Sequence, residues 1–175
     1  MAYIQLNKDL EALKHLLHTY EDNQVFVLTA PHLHNILITK DGSLLKCLDN
    51  YPVLLIDDSE SSKVLDTVAV TWDFLLQHQA TRHALLICLG GGVITDLGGF
   101  AASTYKRGID FVHIPTTLLG MVDAAIGGKT GVNYGGIKNC VGTFAEPVQT
   151  YIFPPLLRTL PAEEFLSGYA ELIKT

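Results

Sequence analysis

The stretch Leu85-Leu86-Ile87-Cys88-Leu89-Gly90-Gly91-Gly92-Val93-Ile94-Thr95-Asp96 decides the fold. Its first five residues are continuously apolar, the pattern of a strand buried on both faces, as parallel strands are. The triple glycine that follows lets the backbone approach a bulky anion. A helix beyond it offers free N–H groups and a positive dipole end. Glycines after a strand also suit a plain tight turn, so the loop alone fixes no function. The dinucleotide fingerprint G-x-G-x-x-G is not met, because Thr95 stands where the third glycine would be. Asp96 would repel phosphate and is better suited to a ribose or substrate hydroxyl.

Outward from this stretch, strands alternate with helices. Met1 to Gln5 leads into an amphipathic helix capped by Asn7, with Leu10, Leu13, Leu16, Leu17 and Tyr20 at helical spacing. Val25–Thr29 and Val53–Ile56 read as buried strands, while His32–Ile38 stays open between strand and helix. The polar turn Asp57 to Lys63 can cap a helix over about 64–79, with Leu65, Val68, Trp72 and Leu75 on one face. After the triple glycine, Leu97–Tyr105 reads as a small-residue helix and Phe111–Ile114 as a strand. This rhythm predicts an α/β fold, a parallel sheet flanked by helices.

From Leu118 the pattern changes. Seven glycines between Gly120 and Gly142 predict mostly a shaped loop. Pro154, Pro155 and Pro161 precede a helix beginning near Ala162, and the chain stops within it at Thr175. The expectation is a domain over residues 1–160, with 161–175 the first helix of a second, all-helical domain.

Composition narrows the function classes. Of 175 residues 48% are hydrophobic, and mean hydropathy is +0.26, as expected of doubly buried strands. No run approaches the roughly 20 apolar residues of a membrane-spanning helix, and no signal peptide is visible. A net charge of −6 offers no basic stripe for nucleic acid. Cys47, Cys88 and Cys140 lack metal-ligand spacing and read as reduced thiols, so a cytoplasmic location is expected.

Gly127-Gly128-Lys129-Thr130 is not an ATP-binding P-loop, because Asp123 occupies the position of its first glycine. Lys129, Lys138 and Arg107 lie near glycines and could grip a phosphate or carboxylate; solvated surface cations are the alternative. Spacing alone makes Glu171 and Lys174 a surface pair on one helix face. His113 reads as a core residue. His32 with His34, and His15 with His18, lack a third metal ligand. Glu60 and Lys63 suit a helix cap and a surface charge.

In this order, Gly90-Gly91-Gly92-Val93-Ile94-x-Asp96, Tyr105-Lys106-Arg107-Gly108, Ile114-Pro115-Thr116-Thr117-Leu118-Leu119, Val122-Asp123-Ala124, Gly127 to Asn133, Lys138-Asn139 and Gly168 to Lys174 resemble the 3-dehydroquinate synthase family of sugar phosphate cyclases. The resemblance covers that family's N-terminal half from about Val25 onward. It implies a Rossmann-like domain that binds NAD. Asp58, Glu60, Lys63, Gly91, Gly92, Val93, Ile94, Thr95, Asp96, Thr116, Thr117, Asp123, Lys129, Lys138, Leu156 and Thr159 would line the cofactor. Arg107, Asp123, Lys129, Asn139 and Lys174 would face the substrate, the seven-carbon sugar acid phosphate DAHP. Glu171 would be one zinc (or cobalt) ligand, with two histidine ligands outside this sequence.

The implied reaction belongs to the shikimate pathway, which leads to chorismate and aromatic amino acids. A zinc-polarised ring hydroxyl is oxidised with NAD as hydride acceptor, phosphate is eliminated, the hydride is returned, and the opened ring closes by an aldol step. The isolated chain would be inactive. A homodimer is implied by relatives that pair through this domain. Three departures stand out: Thr95 in place of a usual glycine, Ala30-Pro31-His32 where relatives often place an acidic residue for the adenosine ribose, and the spacer Tyr134 to Ile137. Inosose or valiolone synthases remain as sister readings, and a non-catalytic nucleotide-binding protein as one of a different class.

Overall fold

The computed structural model describes residues 3–6, 11–40 and 46–174. Six parallel strands form one sheet: β1 (Tyr3–Leu6), β2 (Val25–Thr29), β3 (Val53–Leu55), β4 (Leu85–Gly90), β5 (Asp110–Pro115) and, last in the chain, β8 (Gln149–Ile152). Between β5 and β8 the chain inserts an antiparallel hairpin, β6 (Lys129–Tyr134) and β7 (Ile137–Phe144). Among the described residues the main α-helices are α1 (Glu11–Leu17), α2 (Pro31–Lys40), α3 (Leu65–Gln77), α4 (Gly92–Thr104) and α5 (Ala162–Lys174).

The continuous apolar runs have a direct cause. β2 and β4 are buried at every position because helices cover both sheet faces. Val25, Val27, Leu85, Ile87 and Leu89 point to one layer, with Leu13 and Leu17 of α1. Phe26, Leu28, Leu86 and Cys88 point to the other, with Val68 and Leu75 of α3 and Ile94, Leu97 and Ala101 of α4. Fully burying each large aliphatic or aromatic side chain contributes roughly 1.5–3 kcal/mol, so these two layers carry most of the stability.

The α/β expectation holds, with corrections in detail. The segment 32–38 lies in helix α2. Helix α4 starts at Gly92, five residues before the expected Leu97, since packing outweighs the low helix propensity of glycine. A Cβ on Gly98 would lie 2.5 Å from Cys88 Sγ, and one on Gly99 2.6 Å from Thr130 Cγ2. Those two glycines seat α4 against β4 on one side and the hairpin on the other.

The segment 120–142 is more regular than a shaped loop. It holds a π-turn (Gly120–Ala124) and β6, and runs into β7. Its glycines serve close approach: a Cβ on Gly131 would lie 2.6 Å from the Val141 carbonyl oxygen across the hairpin. β1 and β8 are also absent from the sequence reading. Residues 3–6 form an edge strand paired with β8, with Ile4 and Leu6 exposed. The expected cap Asn7 lies outside the described residues. No helix among the described residues is long and apolar enough to cross a membrane.

Candidate functional site

The strand order β1-β8-β5-β4-β2-β3 reverses direction between β4 and β2. From β2 the chain moves outward through α2 to β3; from β4 it moves the opposite way through α4 to β5. The carboxyl ends of β2 and β4 therefore splay their connections apart and open a crevice, where open α/β sheets receive ligands. Thr29 Oγ1 donates to the Leu89 carbonyl at 2.8 Å, and the Thr116 N–H to the Gly90 carbonyl at 3.0 Å, fixing the rim of that crevice.

Helix α4 points its N-terminus into the crevice. Its cap residue Gly91 is extended (φ −76°, ψ −169°) and provides no side-chain cap. The first turn thus has donor N–H groups that its own sequence does not satisfy. Beside it lies a hollow of about 490 Å³, bounded by Gly91, Gly92, Val93, Thr116, Thr117 and Thr159, with His32, Asp57, Asp58 and Ser59 along the rim. A Cβ on Gly91 would come within 3.2 Å of Thr117 Cγ2, so glycine keeps this floor at backbone level.

The rim loop is tied by its own side chains. Asp57 accepts from the Ser59 N–H (3.1 Å), from Ser59 Oγ (2.7 Å) and from Ser62 Oγ (2.7 Å). These bonds, the Ser59 hydroxyl first, hold its carboxyl below the usual aspartate value. His32 Nδ1 stands 3.7 Å from Asp58 Oδ1.

A second hollow, about 510 Å³, lies beyond the first turn of α4, between that helix, the π-turn and the hairpin. Asp96, Asp123, Lys129, Asn139, Cys140 and Phe144 are among its walls. At its edge Lys63, only 4% exposed, donates to Asp96 Oδ2 and to Asn139 Oδ1, both at 2.5 Å. Burial raises the Asp96 carboxyl above its ordinary value, and the Lys63 ammonium opposes that rise. The three side chains come from three separate stretches of chain and meet at the edge of the second hollow, whose walls include Asp96 and Asn139.

Most residues singled out from the sequence surround these hollows. Asp58, Gly91, Gly92, Val93, Thr116, Thr117 and Thr159 line the first; Asp96, Asp123, Lys129 and Asn139 line the second. Lys138 Nζ approaches Glu60 Oε1 at 3.7 Å beside the hairpin tip. Four side chains lie elsewhere. Ile94 is core, packed beneath Gly90. Thr95 is buried and turns its hydroxyl to the Gly92 carbonyl at 3.1 Å. Leu156 packs in the α1 layer. Arg107 is exposed at the far end of α4, with φ +71°.

Helix α5 packs through Gly168, where a Cβ would lie 2.5 Å from the Leu119 backbone nitrogen. Glu171, half-buried, follows one turn later on that face, and Lys174 ends the helix. Among the described residues no group of three or more His, Cys, Asp or Glu could hold a metal. Sequence reasoning did not single out Asp57 or Asn133. The Asp-x-Ser spacing before the turn could have pointed to Asp57, and the Asn before Tyr134-Gly135-Gly136 to a hairpin tip.

This is a doubly wound α/β domain with a glycine-floored crevice at its switch point. The chain belongs to the 3-dehydroquinate synthase N-terminal family, whose model matches residues 53–167. It is 46% identical over 158 residues to a 3-dehydroquinate synthase of Sulfurovum sp., covering 87% of this chain and 43% of that protein. It is 46% identical over 166 residues to the Pyrococcus furiosus 3-dehydroquinate synthase, covering 95% of this chain and 49% of that one. Among solved structures, 2-epi-5-epi-valiolone synthase from Streptomyces hygroscopicus, with NAD+ and Zn2+ bound, is 34% identical with a TM-score of 0.85. That match covers 99% of this chain and 49% of the synthase. The chain thus spans less than half the length of these relatives.

Proposed function

We propose that this chain is the NAD-binding half of a 3-dehydroquinate synthase, which converts DAHP to 3-dehydroquinate and phosphate. The observation that carries the reading is the uncapped, glycine-floored N-terminus of α4 at the switch point, with one hollow at its first turn and the second a turn further along. In this reading residues 1–160 are the dinucleotide unit, and 161–175 begin a second, helical domain. The backbone N–H groups of Gly91-Gly92-Val93 would hold the cofactor's pyrophosphate. Asp58 and Thr159 attend the first hollow, Lys63 with Asp96 the second, and Glu60 stands with Lys138 beside the hairpin tip. NAD, when bound, supplies a hydride acceptor that is restored in each turnover.

Lys129, Asn139 and Lys138 offer donors or positive charge to the substrate's phosphate and carboxylate, and Lys174 completes that set; Arg107, at the far end of α4, is not part of it within one chain. Asp123, exposed in the wall of the second hollow, is the carboxylate within reach of a substrate hydroxyl proton. Zinc is part of the proposal with Glu171 as one ligand. The described residues do not by themselves make a metal site, so no step is assigned to the metal. A cytoplasmic homodimer completes the reading.

A second reading, a sister cyclase, is favoured by the 34% identity to the valiolone synthase. The test is the protein that carries this chain, supplied with NAD, zinc and DAHP. Stoichiometric phosphate and dehydroquinate support the synthase. A carbocycle formed only from another sugar phosphate supports the sister reading. A protein that binds no NAD is a member of neither class.

A further inference from the structure

The β6–β7 register is broken by a bulge. Val132 pairs with Val141 and Tyr134 with Ile137, so Asn133 faces three residues, Lys138 to Cys140. The ladder cannot serve them all, and Asn139 adopts a left-handed backbone at φ +52°. Asparagine tolerates that region better than most residues, but it still needs support.

One side-chain amide supplies the support. Asn133 Oδ1 accepts the Asn139 N–H at 2.8 Å. The other end of the same amide, Nδ2, donates to Glu60 Oε1 at 2.9 Å and to the Glu60 carbonyl at 3.3 Å. The Asn133 backbone N–H donates to the Lys63 carbonyl at 2.8 Å. Asn139 Oδ1 in turn accepts from Lys63 Nζ. Asn133 thereby clamps the Glu60–Lys63 turn to the bulge, using one acceptor and one donor of opposite polarity. Aspartate would keep the acceptor and lose the donor; leucine would lose both.

Resting on the reading above, we infer that Asn133 is a positioning residue: it fixes the left-handed turn at Asn139 and so aims Asn139 Oδ1 at Lys63 Nζ, where cofactor and substrate would meet. The residue touches neither ligand in this role; it acts through Lys63 and Asn139.

The test compares Asn133→Asp, Asn133→Leu and the double variant Glu60→Gln/Asn133→Asp. Three quantities are read: the rate of reductive methylation of the Lys63 amine in ligand-free protein, NAD affinity by calorimetry, and the thermal midpoint. Asn133→Asp sets a second carboxylate against Glu60 and should raise Lys63 labelling several-fold. It should also weaken NAD binding at least five-fold, with a midpoint close to wild type. Asn133→Leu should do the same with a larger fall in midpoint. The double variant restores a donor opposite the new carboxylate, so its Lys63 labelling should return toward wild type. Unchanged Lys63 labelling in Asn133→Asp overturns the role, as does labelling that only tracks the midpoint and shows no rescue. Failure of wild-type protein to bind NAD sinks the dinucleotide reading instead, and Lys63 labelling still decides the role of Asn133.

Discussion

Lys63 and Asp96, 33 residues apart in sequence, are joined by an ion pair in which the lysine side chain is 5% and the aspartate 20% exposed. A lysine so enclosed persists because the Asp96 carboxylate and the Asn139 amide oxygen both receive its protons. Removing one partner of such a pair typically costs about 3–5 kcal/mol, more than the net worth of the intact pair. Lys63→Met is expected near the lower end of that range, since water reaches Asp96. Lys63→Met/Asp96→Leu should cost less than the sum of the single variants. Chemical denaturation of all four proteins checks this, and additive losses would show that the pair is not coupled.

The glycine floor of the crevice is a matter of room and not of backbone strain. Gly92 opens a helix, and a Cβ there would stand 3.3 Å from the Ala124 Cβ. Gly92→Ala is expected to leave stability within about 1 kcal/mol of wild type, because alanine is a good helix former. The methyl group should nevertheless weaken NAD binding about tenfold, which corresponds to about 1.4 kcal/mol. Calorimetric titration with NAD, beside a melting curve, separates the two effects.

His113 lies in β5, 3% exposed, and its Nδ1 has no hydrogen-bond partner among the described residues. Burial pushes its pKa down to about 3, far below the ordinary 6.5. The folded state therefore keeps the ring neutral, while the unfolded chain takes up a proton as pH falls below 6.5. The stability from the neutral ring is fully present above that pH and is lost progressively toward pH 3. The slope approaches about 1.4 kcal/mol per pH unit within the window. His113→Leu should flatten the wild-type loss between pH 7 and pH 5 in urea titrations. An equal slope in both proteins would assign the acid sensitivity to other groups.

Gly131 and Gly142 face each other across the hairpin, where each backbone occupies the space that a Cβ on the other would need. Gly131→Ala cannot be relieved by a rotamer change, because the Cβ would strike the Val141 carbonyl. It is expected to lower stability by about 1–3 kcal/mol, as overpacking does. It should also raise hydrogen exchange across β6 and β7 while leaving β2 and β4 protected. Exchange mass spectrometry reads both.

The central strands were legible because their burial on two faces leaves no polar position to interrupt Val25–Leu28 or Leu85–Leu89. The hairpin was not, because Gly131 and Gly142 are chosen for close backbone approach and erase the alternation that marks strands. β1 escaped notice as a four-residue edge strand whose Ile4 and Leu6 face outward. Within the site, Asp96, Lys129 and Asn139 stand in motif positions and could be named. The partnership of Lys63 with Asp96 could not, since it depends on α3 and α4 packing side by side. Thr95 looked like a contact in the glycine loop; its hydroxyl is instead spent within α4 on the Gly92 carbonyl.

The Lys63–Asp96–Asn139 knot ties α4, whose first turn floors the first hollow, to the hairpin that walls the second, so ligands in the two hollows would be thermodynamically linked through it. Whatever binds over Gly91-Gly92 and steadies Asp96 also steadies the hairpin through Lys63. An anion that orders Lys129 and Asn139 must then improve dinucleotide affinity by the same factor by which the dinucleotide improves its own. The order in which the two ligands arrive would change the rates of assembly without changing the stability of the final complex.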